Sequence, residues 1–175
     1  EISTSDTTSI VDGEGLQIGN SSSQLNNIRI FNYRTGIRIN GGPNRNSPTL
    51  TNIRVRNSNE TQRDLADYTG IVVMGGGNPV IEDAEIENFG TAIKIENYDR
   101  ETATPTLTNI RVRNSSETQR INTTGILIRG AVQPELEDIE IDWMTVGIDY
   151  SGAAAPVNLR DTPTLTNIRV RNSSE

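Results

Sequence analysis

The 175-residue sequence contains no cysteine and no histidine. Without thiols there is no disulfide framework, thiolate nucleophile or zinc–thiolate centre. Without imidazole the usual general base and the commonest metal ligand are missing. Aromatic residues make up 4% of the chain and hydrophobic residues 33%, too lean for a wide globular core. Lysine is nearly absent, since Lys94 is the sole one among 16 basic residues. No apolar run reaches 18 residues and no signal-peptide pattern is present, so no membrane insertion is expected. The net charge of −7 disfavours nucleic acid and anionic lipid as partners. Glu1 is not an initiator methionine, which points to a mature or excised chain.

What the sequence has in abundance is repetition, the first feature to test in such a composition. "PTLTNIRVRNSNETQR" at Pro48 returns as "PTLTNIRVRNSSETQR" at Pro105 and as "PTLTNIRVRNSSE" at Pro163, in steps of 57 and 58 residues. Looser copies lie between and before them: "SSQLNNIRIFN" at Ser22, "NPVIEDAEIEN" at Asn78 and "QPELEDIEIDW" at Gln133. A second word, of the type "TGIRI", follows each copy, and "EGLQI" precedes the first. Its small residue falls at Gly15, Gly36, Gly70, Ala92, Gly125 and Gly147, in steps of 21, 34, 22, 33 and 22. One coil is therefore about 22 residues, every second coil carries an insertion of about a dozen, and the true unit is a pair of coils.

Within each coil the apolar period is two, the signature of strands. Ile53 and Val55 face one way and Arg54 and Arg56 the other; Ile37 and Ile39 point inward from "TGIRI", and Leu50 from "TLT". Three short strands per coil follow, too short to pack alone but able to bury a continuous column by stacking. Between the second and third strands runs the column Asn27, Asn52, Asp83, Asn109, Asp138, Asn167. These residue types tolerate the left-handed conformation of a tight corner, and stacked amides hydrogen-bond along the column. From Gly15 onward the chain resembles the right-handed parallel β-helix family, the pectate-lyase-like solenoids with their asparagine ladder. The resemblance implies an all-β solenoid of about six coils over residues 15–175, with residues 1–14 as a lead-in or cap. It does not choose a function, because that architecture hosts lyases, hydrolases, adhesins and phage fibres.

The outward residues of the third strand read Arg54 and Arg56, Glu85 and Glu87, Arg111 and Arg113, Glu140 and Asp142, Arg169 and Arg171. Arginine pairs alternate with carboxylate pairs, and a one-coil repeat would stack like charges instead. The stripe is expected to be a structural ladder, with a polar docking surface as the functional alternative. Thr49/Thr51, Thr106/Thr108 and Thr164/Thr166 recur only every second coil with carboxylates between, which argues against an ice-binding array. The family's enzymes lay substrate along the first strand, whose outward column here is Gln17, Arg38, Val72, Lys94, Leu127 and Asp149. No carboxylate pair meets there as glycoside hydrolysis requires, and no acidic calcium cage is evident. Val72 and Leu127 predict a small exposed apolar contact patch. The run "MGGGNP" at Met74 reads as a tight corner, since no helix follows to make a phosphate cradle.

The expected function is a non-enzymatic extracellular solenoid, a stalk, adhesin segment or filament subunit, with no cofactor and no metal. Its expected partners are a glycan, another surface protein, or further copies stacked head to tail through the solenoid ends. The alternative is a module that binds or degrades polysaccharide in the first-strand groove. The polar insertions Ser58–Tyr68 and Ser115–Thr123 protrude on one side, and five N-x-S/T sequons (Asn20, Asn59, Asn114, Asn122, Asn172) fall mostly in such loops.

Overall fold

The computed structural model describes residues 2–3, 11–19, 22–41, 47–57, 67–99, 102–114, 122–152 and 162–171. Most of both insertions and the sequons at Asn20, Asn59 and Asn172 lie outside these residues. The strands are β1 (Ile2–Ser3), β2 (Val11–Gly19), β3 (Gln24–Phe31), β4 (Tyr33–Asn40), β5 (Thr49–Arg56), β6 (Thr69–Met74) and β7 (Val80–Glu87). They continue as β8 (Thr91–Asn97), β9 (Thr106–Arg113), β10 (Thr124–Gly130), β11 (Glu135–Asp142), β12 (Val146–Gly152) and β13 (Thr164–Arg171). The odd strands stack in sequence order as one parallel sheet and the even strands β2 to β12 as a second. Each coil is one even strand followed by one odd strand, and β2 to β13 make six such pairs. The residues expected as a lead-in carry β1, which pairs with Ile30 and Phe31 of β3, and the start of β2.

The second and third strands expected of each coil run as a single ladder bent at the Asn/Asp column. In β5, Thr51 pairs with Asn26 and Ile53 with Ile28, so the corner residue drops out and the register resumes immediately after it. All six corner residues have φ between 53° and 59°, a region that asparagine and aspartate enter at the least cost among residues with a Cβ. Because the corner inserts one residue into the alternation, Leu50 and Ile53 both point inward although three positions separate them. The Asn52 amide donates to Asn27 Oδ1, Asn109 to Asp83 at 2.6 Å and Asn167 to Asp138 at 3.0 Å.

A second asparagine column, five residues after each corner, is buried where the first is exposed. Asn32, Asn57, Asn88 and Asn114 occupy it, Trp143 stands at the same position of the next coil, and the four amides retain at most 5% exposure. Their backbone N–H groups extend the ladder, for example Asn88 N to Arg113 O at 3.1 Å. The Asn88 side chain donates to Asn57 O at 2.7 Å, and Asn114 Oδ1 accepts from Phe89 N at 3.2 Å. Asn114, a sequon asparagine, is thus an internal bracket; Asn122 is exposed, with φ 60°.

The core lies between the sheets. Ile37 and Ile39, Ile71 and Val73, Ile93 and Ile95, and Ile126 and Ile128 face Leu50, Ile53 and Val55 and their equivalents, which are buried from β5 to β11, whereas Leu165 and Val170 of β13 are half exposed. Each such buried aliphatic side chain contributes about 1.5–3 kcal/mol. The small residue of the "TGIRI" word has a steric cause. A Cβ on Gly125 would lie 2.5 Å from Gly147 O in the adjacent strand and 2.8 Å from Ile141 Cγ2, and one on Gly147 2.7 Å from Val170 Cγ1. The even strand enters its sheet where the β-branched side chains of the opposite wall already fill the space.

Candidate functional site

Parallel pairing sets the first-strand column in the expected order. Gln17, Arg38, Val72, Lys94, Leu127 and Asp149 are consecutive ladder partners from β2 to β12. Their environment differs from the expected contact patch. Val72 is 5% and Leu127 8% exposed; Val72 lies between the longer side chains of Arg38 and Lys94, and Leu127 beside Lys94, with Asp149 on its other side. The face shows solvent a polar surface.

That surface is a set of closed ion pairs. Lys94 Nζ lies 3.0 Å from Glu96 Oε2, and Arg129 approaches the same carboxylate at 3.9 Å. Arg38 pairs with Glu14 and sends a second nitrogen to within 2.9 Å of Met74 Sδ. Arg34 holds Asp12 at 3.0 Å and Asp67 at 3.1 Å. The hydrogen bond to Asp12, then its charge and that of Asp67, raise the Arg34 pKa further above its ordinary value. An open cavity of about 420 Å3 spans these groups. Asp12, Arg34 and Asp67 were not legible as site residues, because one sits in the lead-in and another ends an insertion. Glu96 left a signal, two residues beyond Lys94 in the same outward row. Asp149 stands two strands from Lys94, ~10 Å at strand spacing. Among the described residues no cluster of three or more acidic side chains is arranged to hold a metal ion.

The expected charge ladder forms on the odd-strand wall after the corner. Arg54 Nε lies 3.1 Å from Glu85 and Arg56 Nε 3.2 Å from Glu87, within ion-pair distance but off hydrogen-bond geometry. Arg113 reaches both Glu85, at 3.1 Å, and Glu87. Arg111 donates to Glu140 at 3.0 Å, and Arg171 closes on the same carboxylate at 3.3 Å. Those contacts, the Arg111 hydrogen bond first, hold Glu140 below the usual carboxylate pKa range. Asp142 and Arg169 stand in register without an ion pair among the described residues. Below Arg54 the alternation stops, because its partner in β3 is Arg29. A groove of about 690 Å3 follows the corner column beside this wall from Asn27 to Asn109.

Among the described residues, thirteen parallel strands in two stacked sheets, turned by a left-handed Asn/Asp corner, meet a family model in agreement: that of the right-handed β-helix region matches residues 2–155. The chain belongs to the right-handed β-helix family. Searches of curated proteins and of solved structures return no match. Membership fixes the sense of winding of this β-helix and leaves its activity to be argued from its surface.

Proposed function

We propose that this β-helix is a structural or adhesive solenoid working outside the cell, a stalk or surface-display segment, and not an enzyme. One observation carries the reading. On the face where the family's enzymes hold substrate, Glu14, Asp12, Asp67 and Glu96 each grip a cation. A carboxylate whose oxygens are taken up by a guanidinium or ammonium is not free to meet a substrate oxygen or to work with a second carboxylate across the face. Asp149, the acid of the first-strand column, faces no second carboxylate across the adjacent strand among the described residues. The near-identical two-coil units further support a scaffold, since adding or removing one changes length while preserving every stacked column.

The test is incubation with pectin, alginate, hyaluronan and arabinan, with product release followed by reducing-end assay. No release is expected. Release abolished by Lys94→Ala or Asp149→Ala would overturn the reading. A second reading, a module that holds an acidic glycan without cleaving it, is favoured by the cavity beside Arg38 and Lys94. A glycan-dependent thermal shift lost in Arg38→Ala would select it.

A further inference from the structure

Surface charge on this β-helix is sorted by wall. After the corner, Arg29 and the six arginines of the ladder oppose four carboxylates, a net of +3 on a chain whose total is −7. Guanidinium also lies outermost there. The paired arginines keep 42–59% of their side-chain surface, whereas Glu85, Glu87 and Glu140 keep 30%, 7% and 24%. Before and at the corner the sign reverses: the outward groups include Glu82, Asp83, Glu135, Glu137 and Asp138, all exposed, and no basic residue. Glu82, Glu135 and Glu137 have no hydrogen bond or ion pair among the described residues.

We propose that the arginine wall of one copy docks side by side on the acidic stretch of a second copy. This rests on the structural reading above and names its partner. The arginine pairs recur on β5, β9 and β13, and the acidic groups on β7 and β11, so both repeat every second strand, ~10 Å apart. Offsetting two copies by one strand brings arginine layers opposite carboxylate layers along the full length of the contact. Another partner would have to reproduce that period; a second copy has it by construction. Both surfaces are rigid sheet, which keeps the spacing constant. End-to-end stacking in the register of the coils is the weaker arrangement, because β1 already occupies the edge of β3 that β13 of a second copy would have to pair.

Sedimentation equilibrium over a concentration series tests the docking. At ~0.1 M salt the long-range repulsion between two acidic copies is screened while contact pairs persist; at ~1 M the pairs themselves weaken. The wild-type chain should self-associate at the lower salt and about tenfold more weakly at the higher. Glu82→Thr/Glu135→Thr/Glu137→Thr installs the residue that the arginine coils carry in the same columns. It should keep the melting temperature and weaken association at least ~10-fold. Arg169→Thr, on the arginine wall and outside the ion pairs among the described residues, should weaken it as well. A monomer at every concentration, association that salt does not weaken, or variants that associate as tightly as wild type would overturn the docking. Glycan cleavage, not monomeric behaviour, would overturn the structural reading beneath it.

Discussion

Glu87→Gln is the most direct perturbation of the ladder, since it removes one charge and keeps the shape. The Glu87 side chain is 7% exposed and lies among Arg56 at 3.2 Å, Arg54 at 3.9 Å and Arg113. Fully buried, an orphaned ion partner would cost about 3–5 kcal/mol. The three guanidiniums keep 42–47% of their surface, so water takes over much of their solvation and each contact is worth about 0–1 kcal/mol. The expected loss is therefore about 1–3 kcal/mol. At ~2–4 °C per kcal/mol for a chain of this size, the melting temperature should fall by roughly 3–10 °C at low salt. At ~1 M salt, where the screening length is ~3 Å, the loss should shrink by about half. Thermal unfolding followed by circular dichroism at both salts is the assay. An equal loss at the two salts would refute the reasoning, because packing and not charge would then be what Glu87 supplies. No loss at either salt would refute it too.

Asn52→Ala should cost about 1–3 kcal/mol in thermal unfolding, from a Cβ residue without a local hydrogen bond at φ 58° and from the lost bond to Asn27; Asn52→Gly should cost less, and the reverse order would discredit the corner argument. Gly125→Ala should lose about 1–3 kcal/mol in thermal unfolding by crowding Gly147 O and Ile141, and an unchanged melting temperature would count against the steric argument. The Glu140 carboxyl is depressed in the fold, so its stabilisation is complete above the unfolded value near ~4.3 and is lost as pH falls through the folded one. Glu140→Gln should therefore melt below wild type at neutral pH, with the gap closing below about pH 4; a gap independent of pH would count against the assignment.

The architecture was legible because stacking turns one-dimensional regularity into columns. Asn or Asp at one fixed point of every coil announced the corner, and paired Arg or Glu two residues later announced the ladder. The buried asparagine column was equally regular, five residues after each corner, yet its role depends on burial, and Trp143 breaks the series. Alternation assigned Val72 and Leu127 to the outer side correctly but not their exposure, which the long neighbours in adjacent strands decide. The grip of Arg34 on Asp12 and Asp67 joins three segments with no common word. The steric role of the small residue was hidden because its partner, Ile141 for Gly125, lies on the opposite sheet.

The two-coil period follows from hydrogen-bonding capacity more deeply than from charge alone. Coils with Asn at the corner carry Arg after it, and coils with Asp carry Glu, so they alternate as donor and acceptor coils. Asn109 gives to Asp83 while Arg113 gives to Glu85; Asn167 gives to Asp138 while Arg171 reaches Glu140. The first two coils are both of donor type and show where the rule bends. Asn52 still bonds Asn27, because an amide both donates and accepts. Arg29 has no such recourse on Arg54, since a guanidinium has donors only. A surface so constrained has carboxylates in surplus where no donor was placed opposite them, at Glu82, Glu135 and Glu137, and guanidinium in surplus at Arg29 and Arg169. Those residues, left over after the solenoid has satisfied itself, are the ones through which a neighbour would be recognised.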